Sequence, residues 1–105
     1  MKVNTQSVNF NVDGKLIEFI QKRLDKLDIF YDKIISSDVH LKVENTSVKE
    51  NKIVEIKLHV PKDRFVVKKQ CKSFEEAIDL ACESLERKLM KKKQKPRVSA
   101  SLKFL

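Results

Sequence analysis

Two stretches of the chain alternate apolar and polar side chains, and a short polar segment separates them. The first, residues 37–44, reads SDVHLKVE, and the second, residues 53–60, reads IVEIKLHV. Alternation with a period of two is typical of a β-strand that has one face on a core and the other in solvent. The intervening residues 45–52 read NTSVKENK, which predicts a hairpin loop between two neighbouring strands.

Two further strands extend the predicted sheet. Residues 2–8 contain alternating and β-branched side chains, which favour a strand at the start of the chain. Residues 61–63 begin with proline and predict a turn, after which residues 64–70, RFVVKKQ, form a fourth strand. Three consecutive strands joined by short connections predict an antiparallel meander.

Two other segments have the helical period. Asp13 is a suitable N-cap for a helix over residues 15–29, and the apolar positions of that helix are Leu16, Ile20, Leu24 and Leu27. Ser73 and Glu76 form the capping box of a second helix, whose apolar stripe contains Ile78, Cys82, Leu85 and Leu89. The order β-α-β-β-β-α favours an α+β fold: a two-layer sandwich with both helices on one face of a four-stranded sheet.

The last helix changes character after Leu89. The next position on its apolar stripe is Lys92, and placing an ammonium group against a core has a large desolvation cost. We therefore expect residues 90–95 to project past the body of the domain. Pro96 is expected to end the helix, because proline disrupts helical hydrogen bonding.

The chain of 105 residues fits one domain. We assign that domain to residues 1–97 and treat residues 98–105 as a C-terminal tail. The tail reads VSASLKFL and alternates apolar and polar side chains. A late strand, a short adhesive peptide and a disordered terminus all stay open for it.

The excess positive charge lies at one end of the chain. Residues 1–86 contain 15 Lys and Arg against 15 Asp and Glu, so the whole net charge of +8 comes from the residues that follow. Those residues contain no acid, and their cations are Arg87, Lys88, Lys91, Lys92, Lys93, Lys95, Arg97 and Lys103. Such asymmetry points to a polyanionic partner: nucleic acid, an anionic membrane surface or an acidic protein. A solvated basic tail is the alternative.

Cations also segregate on each predicted helix, at about 100° of rotation per residue. Those of the first helix share one flank, at Lys15, Lys22, Arg23 and Lys26. Those of the last helix share a flank at Lys88, Lys91 and Lys95. Two such helices on one sheet face predict a phosphate-binding surface. The chain has no glycine-rich loop and no aromatic pair on a strand, so recognition is expected to depend on backbone charge and shape.

Catalysis and metal binding have weaker support. His40 and His59 occupy polar positions of adjacent predicted strands, as in a small ribonuclease, but no nucleophile and base spacing accompanies them, so we predict no enzyme. Cys71 and Cys82 lack the close ligand spacing of a zinc site. We predict no metal and no cofactor, two reduced thiols, and a core position for Cys82.

The sequence contains no apolar run of the length that a signal peptide or a membrane span requires. A cytoplasmic location is therefore predicted. A peripheral membrane binder ranks last among the alternatives, because the basic helix end lacks an opposing apolar face.

Several motifs recur here in a familiar order and spacing: the run from Leu24 to Ile34, LKVE at 41–44, LHVP at 58–61, EAID at 76–79, and LERKL at 85–89 followed by KKKQK. In these motifs the chain resembles the ribosome hibernation promoting factor family, also called ribosome-associated inhibitors or ribosomal subunit interface proteins. The resemblance covers residues 1–97. It matches the short form of the family, which has no linker and second domain.

The resemblance implies a double-stranded-RNA-binding-like fold that docks between the head and body of the small ribosomal subunit. There it would cover the decoding region, block mRNA and tRNA, and inhibit translation in slow growth. The implied partners are the small ribosomal subunit and 16S rRNA, with no membrane and no small-molecule substrate, and the isolated protein is expected to be a monomer. A general double-stranded RNA-binding module and a small ribonuclease remain the alternatives.

Family rRNA contacts correspond to five cations of this chain: Arg23, Lys26, Arg87, Lys91 and Lys95. Charge geometry adds four more predicted contacts: Lys22, Lys88, Lys92 and Lys93.

Overall fold

The structure is a computed structural model that describes residues 1–8, 10–44 and 49–102, with side chains of the last helix described as far as Lys92. The elements are β1 (Lys2–Val8), α1 (Gly14–Phe30), β2 (Ser36–Val43), β3 (Lys52–Val60), β4 (Asp63–Cys71) and α2 (Phe74–Leu102). The predicted order β-α-β-β-β-α is confirmed. The predicted hairpin loop over 45–52 lies partly outside the described residues.

The four strands form one sheet in the order β1-β2-β3-β4. Strands β2, β3 and β4 pair antiparallel, which confirms the meander. Strand β1 pairs with β2 in parallel, because α1 carries the chain back across the sheet between them. One row across the sheet joins Asn4, Asp38, Lys57 and Val66.

Both helices pack on the same face of this sheet, so the predicted two-layer sandwich is confirmed. Alternate strand residues such as Val39, Ile56 and Leu58 point into the core and are fully buried. From the helices, Leu24 and Leu85 meet them and are equally buried. α2 lies over β3 and β4, whereas α1 lies beside it towards β1.

Side-chain caps fix the start of each helix. The Asp13 carboxylate accepts a hydrogen bond from the backbone N–H of Leu16 at 2.8 Å. The Ser73 hydroxyl accepts one from the backbone N–H of Glu76 at 3.2 Å. Both predicted N-caps are therefore confirmed, and each satisfies a backbone N–H that the first turn of its helix leaves without an intrahelical partner.

The prediction that Pro96 ends the last helix is wrong. α2 continues to Leu102, so residues 98–102 are helical and do not form a late strand. Proline removes one backbone N–H donor and disfavours a helical residue before it. It does not prevent a helix from continuing when its neighbours are good helix formers, as the lysines and glutamine at 91–95 are. Residues 103–105 lie outside the described part of the chain.

The prediction that α2 leaves the body of the domain before Lys92 is also wrong. Lys92 points at the sheet, as helical periodicity requires, and its side chain is only 26% exposed. Asp63, the first residue of β4, lies next to Lys92, and its Oδ2 is 3.5 Å from the Lys92 Nζ. The ammonium group thus meets a carboxylate at the rim of the core, which avoids the desolvation cost that the prediction assumed. The domain supports α2 as far as Lys92.

Both cysteines are free and buried, and the core position predicted for Cys82 is confirmed. Burial is the main cause that raises the pKa of the Cys82 thiol to about 11. Across the described residues, no helix is both long enough and apolar enough to cross a membrane.

Candidate nucleic-acid interface

The second half of α2 presents exposed cations because its opposite side is anchored. Leu85 and Leu89 are fully buried against the sheet. At about 100° per residue, Lys88 and Lys91 then fall on the side of α2 that faces away from α1, and both are exposed. Arg87 lies next to them on the outward face and is also exposed. We call Lys88 and Lys91 the lysine flank of α2.

A second group of cations lies on the outward face of α1. Lys22 and Lys26 are exposed, while Leu24 and Leu27 on the opposite side are fully buried. The amphipathic pattern of α1 therefore turns these two predicted contacts towards solvent.

Arg23, the third predicted contact on α1, has a different environment. Its Nε donates to Asp79 Oδ1 at 2.7 Å, and its Nη2 donates to the Asp79 backbone carbonyl at 3.4 Å. The Arg23 side chain is only 16% exposed. Burial lowers the pKa of Arg23, but the hydrogen bond that Arg23 donates to Asp79 and the surrounding charges more than offset this, so the pKa lies above its ordinary value. In this structure Arg23 joins α1 to α2.

The ion pair also shows which side of α2 faces α1. Asp79 is on the acidic flank of α2, which contains Glu76, Asp79, Glu83 and Glu86. These acids therefore lie between the cations of α1 and the lysine flank of α2. Among the described side chains, the cations of the two helices form separate patches and not the one phosphate-binding surface predicted across both helices.

The remaining predicted contacts have less defined roles. Lys92 pairs with Asp63 at the start of β4. Lys93 and Lys95 belong to the helical backbone of α2, but their side chains lie outside the described residues. Lys22, Lys26, Arg87, Lys88 and Lys91 are thus the predicted contacts that the described structure exposes.

The Arg23–Asp79 pair is expected to stabilise the contact between the helices. In a double-mutant cycle with Arg23→Gln and Asp79→Asn, we expect a coupling of about 0.5–1 kcal/mol in the free energy of unfolding, since Asp79 is half exposed and water screens it. Chemical denaturation measures this coupling. Lys22→Gln is the matched control and should change stability by less than about 0.5 kcal/mol. A coupling of zero would contradict the structural role of the pair.

The two histidines do not form a common site. His59 pairs with Ser36 across the sheet, whereas His40 lies four residues further along β2, about 13 Å away at 3.3 Å per residue. His59 Nε2 lies 3.1 Å from Asp38 Oδ2, and Asn4 Nδ2 donates to Asp38 Oδ1 at 3.1 Å. The hydrogen bonds from Asn4 and His59 hold the pKa of Asp38 below its usual value. This arrangement engages His59 structurally and gives it no second histidine as a catalytic partner.

Metal ligands are similarly dispersed. Among the side chains that the structure describes, no group of three or more His, Cys, Asp or Glu residues is arranged to hold a metal ion.

The sequence did not predict that Asp79 and Asp63 pair with two of the predicted rRNA contacts. Asp79 and Asp63 are distant in sequence from at least one of the elements that they join, so no local pattern identifies them. The structure brings them to Arg23 and Lys92 through packing of α2 against α1 and β4.

The fold and the exposed cations together define a class: a small α+β domain whose helices offer positively charged patches. Residues 3–97 match the family described as "Sigma 54 modulation protein / S30EA ribosomal protein". The chain belongs to this family. It is 30% identical over 95 residues to the ribosome hibernation promoting factor of Azotobacter vinelandii, across 90% of this chain and 85% of that relative. The same protein of Pseudomonas putida is also 30% identical over 95 residues, across 90% of this chain and 89% of its own length.

Solved structures share the fold. The ribosomal subunit interface protein of Coxiella burnetii superposes with a TM-score of 0.78 at 20% identity, over 89% of this chain and 98% of that one. The N-terminal domain of Protein Y from Thermus thermophilus gives a TM-score of 0.73 at 21% identity, over 84% of this chain and 94% of that one. The predicted fold class and family resemblance are both confirmed.

Proposed function

We propose that this protein is a ribosome hibernation factor that binds the small ribosomal subunit and inhibits translation without catalysis. It acts in the cytoplasm by occupancy: the bound domain covers the decoding region and blocks mRNA and tRNA. Membership of the family supports the association with ribosomes, since relatives of similar length are named ribosome hibernation promoting factors.

The observation that carries the proposal is the lysine flank of α2. Lys88 and Lys91 are exposed, they are separated from the acidic flank, and Arg87 adds a third exposed cation beside them. Like charges this close on a helix repel each other by a few tenths of a kcal/mol per pair. Phosphates of 16S rRNA would remove that repulsion and release their counterions, so binding becomes favourable and salt-dependent.

The patch on α1 supplies a second contact in this proposal. Lys22 and Lys26 face outward, and the acidic flank of α2 separates them from Lys88 and Lys91. The domain would therefore hold rRNA at two places and not along one stripe. Arg23 and Lys92 remain proposed contacts, although each must exchange a carboxylate for a phosphate to serve as one.

Cosedimentation with purified small subunits tests the proposal. We expect the protein to pellet with the subunits at low salt, to be released as salt rises, and to compete with initiator tRNA. A naked RNA duplex serves as the comparison, and equal affinity for duplex and subunit would favour a general double-stranded RNA-binding module. Binding that is indifferent to salt and to tRNA would contradict the proposed mechanism.

A further inference from the structure

The helices cover one face of the sheet, and the opposite face is uncovered by any element that the structure describes. We call it the open face. It is formed by alternate residues of all four strands. Its cations are Lys2, Lys42, Lys57, Arg64 and Lys68. Its carboxylates are Asp38 and Glu55, so cations outnumber acids on this face.

Among the described residues, neither carboxylate forms an ion pair with these cations, although Asp38 lies opposite Lys57 in the register of β2 and β3. Asp38 is engaged by the side chains of Asn4 and His59. Glu55 lies opposite Lys68 in the register of β3 and β4. Within the described residues, none of the five cations of the open face forms an ion pair within 4.0 Å.

The open face is continuous with the lysine flank of α2. β4 is an edge strand of the sheet, and α2 packs over β3 and β4 with α1 on its other side. The lysine flank faces away from α1, so it lies on the side of α2 that is nearest the free edge of β4. The strand and its adjoining turns contain five cations, at Lys62, Arg64, Lys68, Lys69 and Lys72.

Residues 62–72 contain one acid, Asp63, and the structure pairs this acid with a lysine of α2. Asp63 lies at the start of β4, where its Oδ2 is 3.5 Å from the Lys92 Nζ. The positive surface therefore continues from α2 around the edge of β4, through Arg64 and Lys68, to Lys57 on the open face.

We propose that the open face is a second RNA-binding surface, which contacts the sugar-phosphate backbone through Lys57, Arg64 and Lys68. This inference rests on the proposed function and extends it: the domain is held between two segments of rRNA, one on the helices and one on the sheet. The open face has no Phe, Tyr or Trp side chain to stack on bases, so we expect its cations to contact phosphates. Its cations stand on a rigid sheet, which limits the entropy lost on binding.

The test compares two triple variants that remove the same charge. Lys57→Gln, Arg64→Gln and Lys68→Gln alter the open face, whereas Lys33→Gln, Lys49→Gln and Lys52→Gln alter lysines outside every proposed contact surface. Binding of each protein to small subunits is measured over a range of salt. Three lost phosphate contacts should lower the slope of log K against log salt by about 2 to 3 and weaken binding at least ~10-fold near physiological salt. Thermal unfolding verifies that both variants fold.

The outcomes separate this inference from the proposed function. If the wild-type protein does not bind subunits, both fail. If it binds and the open-face variant behaves like its control, the second surface is wrong while the proposed function stands. If binding weakens with no change in the salt slope, the partner of this face is not phosphate and the inference is overturned.

A crosslinking experiment identifies the partner directly. Val66 lies on the open face between Arg64 and Lys68 of β4 and is 44% exposed, and the native Cys71 and Cys82 are both buried. Val66→Cys therefore provides a single accessible thiol for a photoreactive probe. Adducts to rRNA in the subunit complex support the proposal. Adducts to ribosomal proteins alone overturn it.

Discussion

Replacing Arg87, Lys88 and Lys91 with glutamate is expected to abolish binding to small ribosomal subunits. The three side chains are exposed on the side of α2 away from α1. Each substitution removes one phosphate contact and adds a repulsive charge, so affinity should fall at least ~100-fold and the salt slope by about 3. Cosedimentation at several salt concentrations measures both quantities.

The control for this variant carries the same change in net charge. Lys33, Lys49 and Lys52 lie outside every proposed contact surface and are replaced with glutamate together. This control should retain most of its affinity. Circular dichroism and chemical denaturation show whether each triple variant is folded. Equal loss of binding in both variants would mean that only net charge matters, which contradicts a defined surface on α2.

The second large effect concerns the packing that holds α2 in place. Leu85 is fully buried between α2 and the sheet. Truncation by Leu85→Ala should lower the free energy of unfolding by about 2–5 kcal/mol, through lost burial and the cavity that remains. A domain of this kind has a total stability of roughly 5–15 kcal/mol, so the variant should be partly unfolded or strongly sensitive to urea.

Met90 provides the matched control on the same helix. Its side chain is 44% exposed, so Met90→Ala should change stability by less than about 0.5 kcal/mol. Urea denaturation measures both variants. Similar losses at the two positions would contradict the orientation of α2, and with it the placement of the lysine flank.

Local chemistry made most of the fold predictable. Asp13 and Ser73 each accept a hydrogen bond from a backbone N–H only three residues away, so the sequence pattern alone identified both helix starts. The alternation of apolar and polar side chains predicted the strands, because one side of the sheet is buried and the other is not. Pro96 shows the limit of such rules: its effect on a helix depends on the stability of the turns around it.

Long-range packing decided what the sequence did not predict. Arg23 and Asp79 are 56 residues apart, and their pairing follows from how closely α1 and α2 approach. Helical periodicity correctly placed Lys88 and Lys91 on one flank, but it could not say which flank of α2 faces α1. That fact directs the lysine flank towards the edge of β4, and it follows only from tertiary structure.

A density map of the protein bound to the small ribosomal subunit is the most direct test of the central claim, that the cationic side of α2 binds rRNA phosphates. We expect Lys88 and Lys91 to lie within hydrogen-bonding distance of phosphate oxygens of 16S rRNA at the decoding region. A map in which these side chains face solvent or ribosomal protein, while another surface of the domain holds the subunit, would contradict that claim.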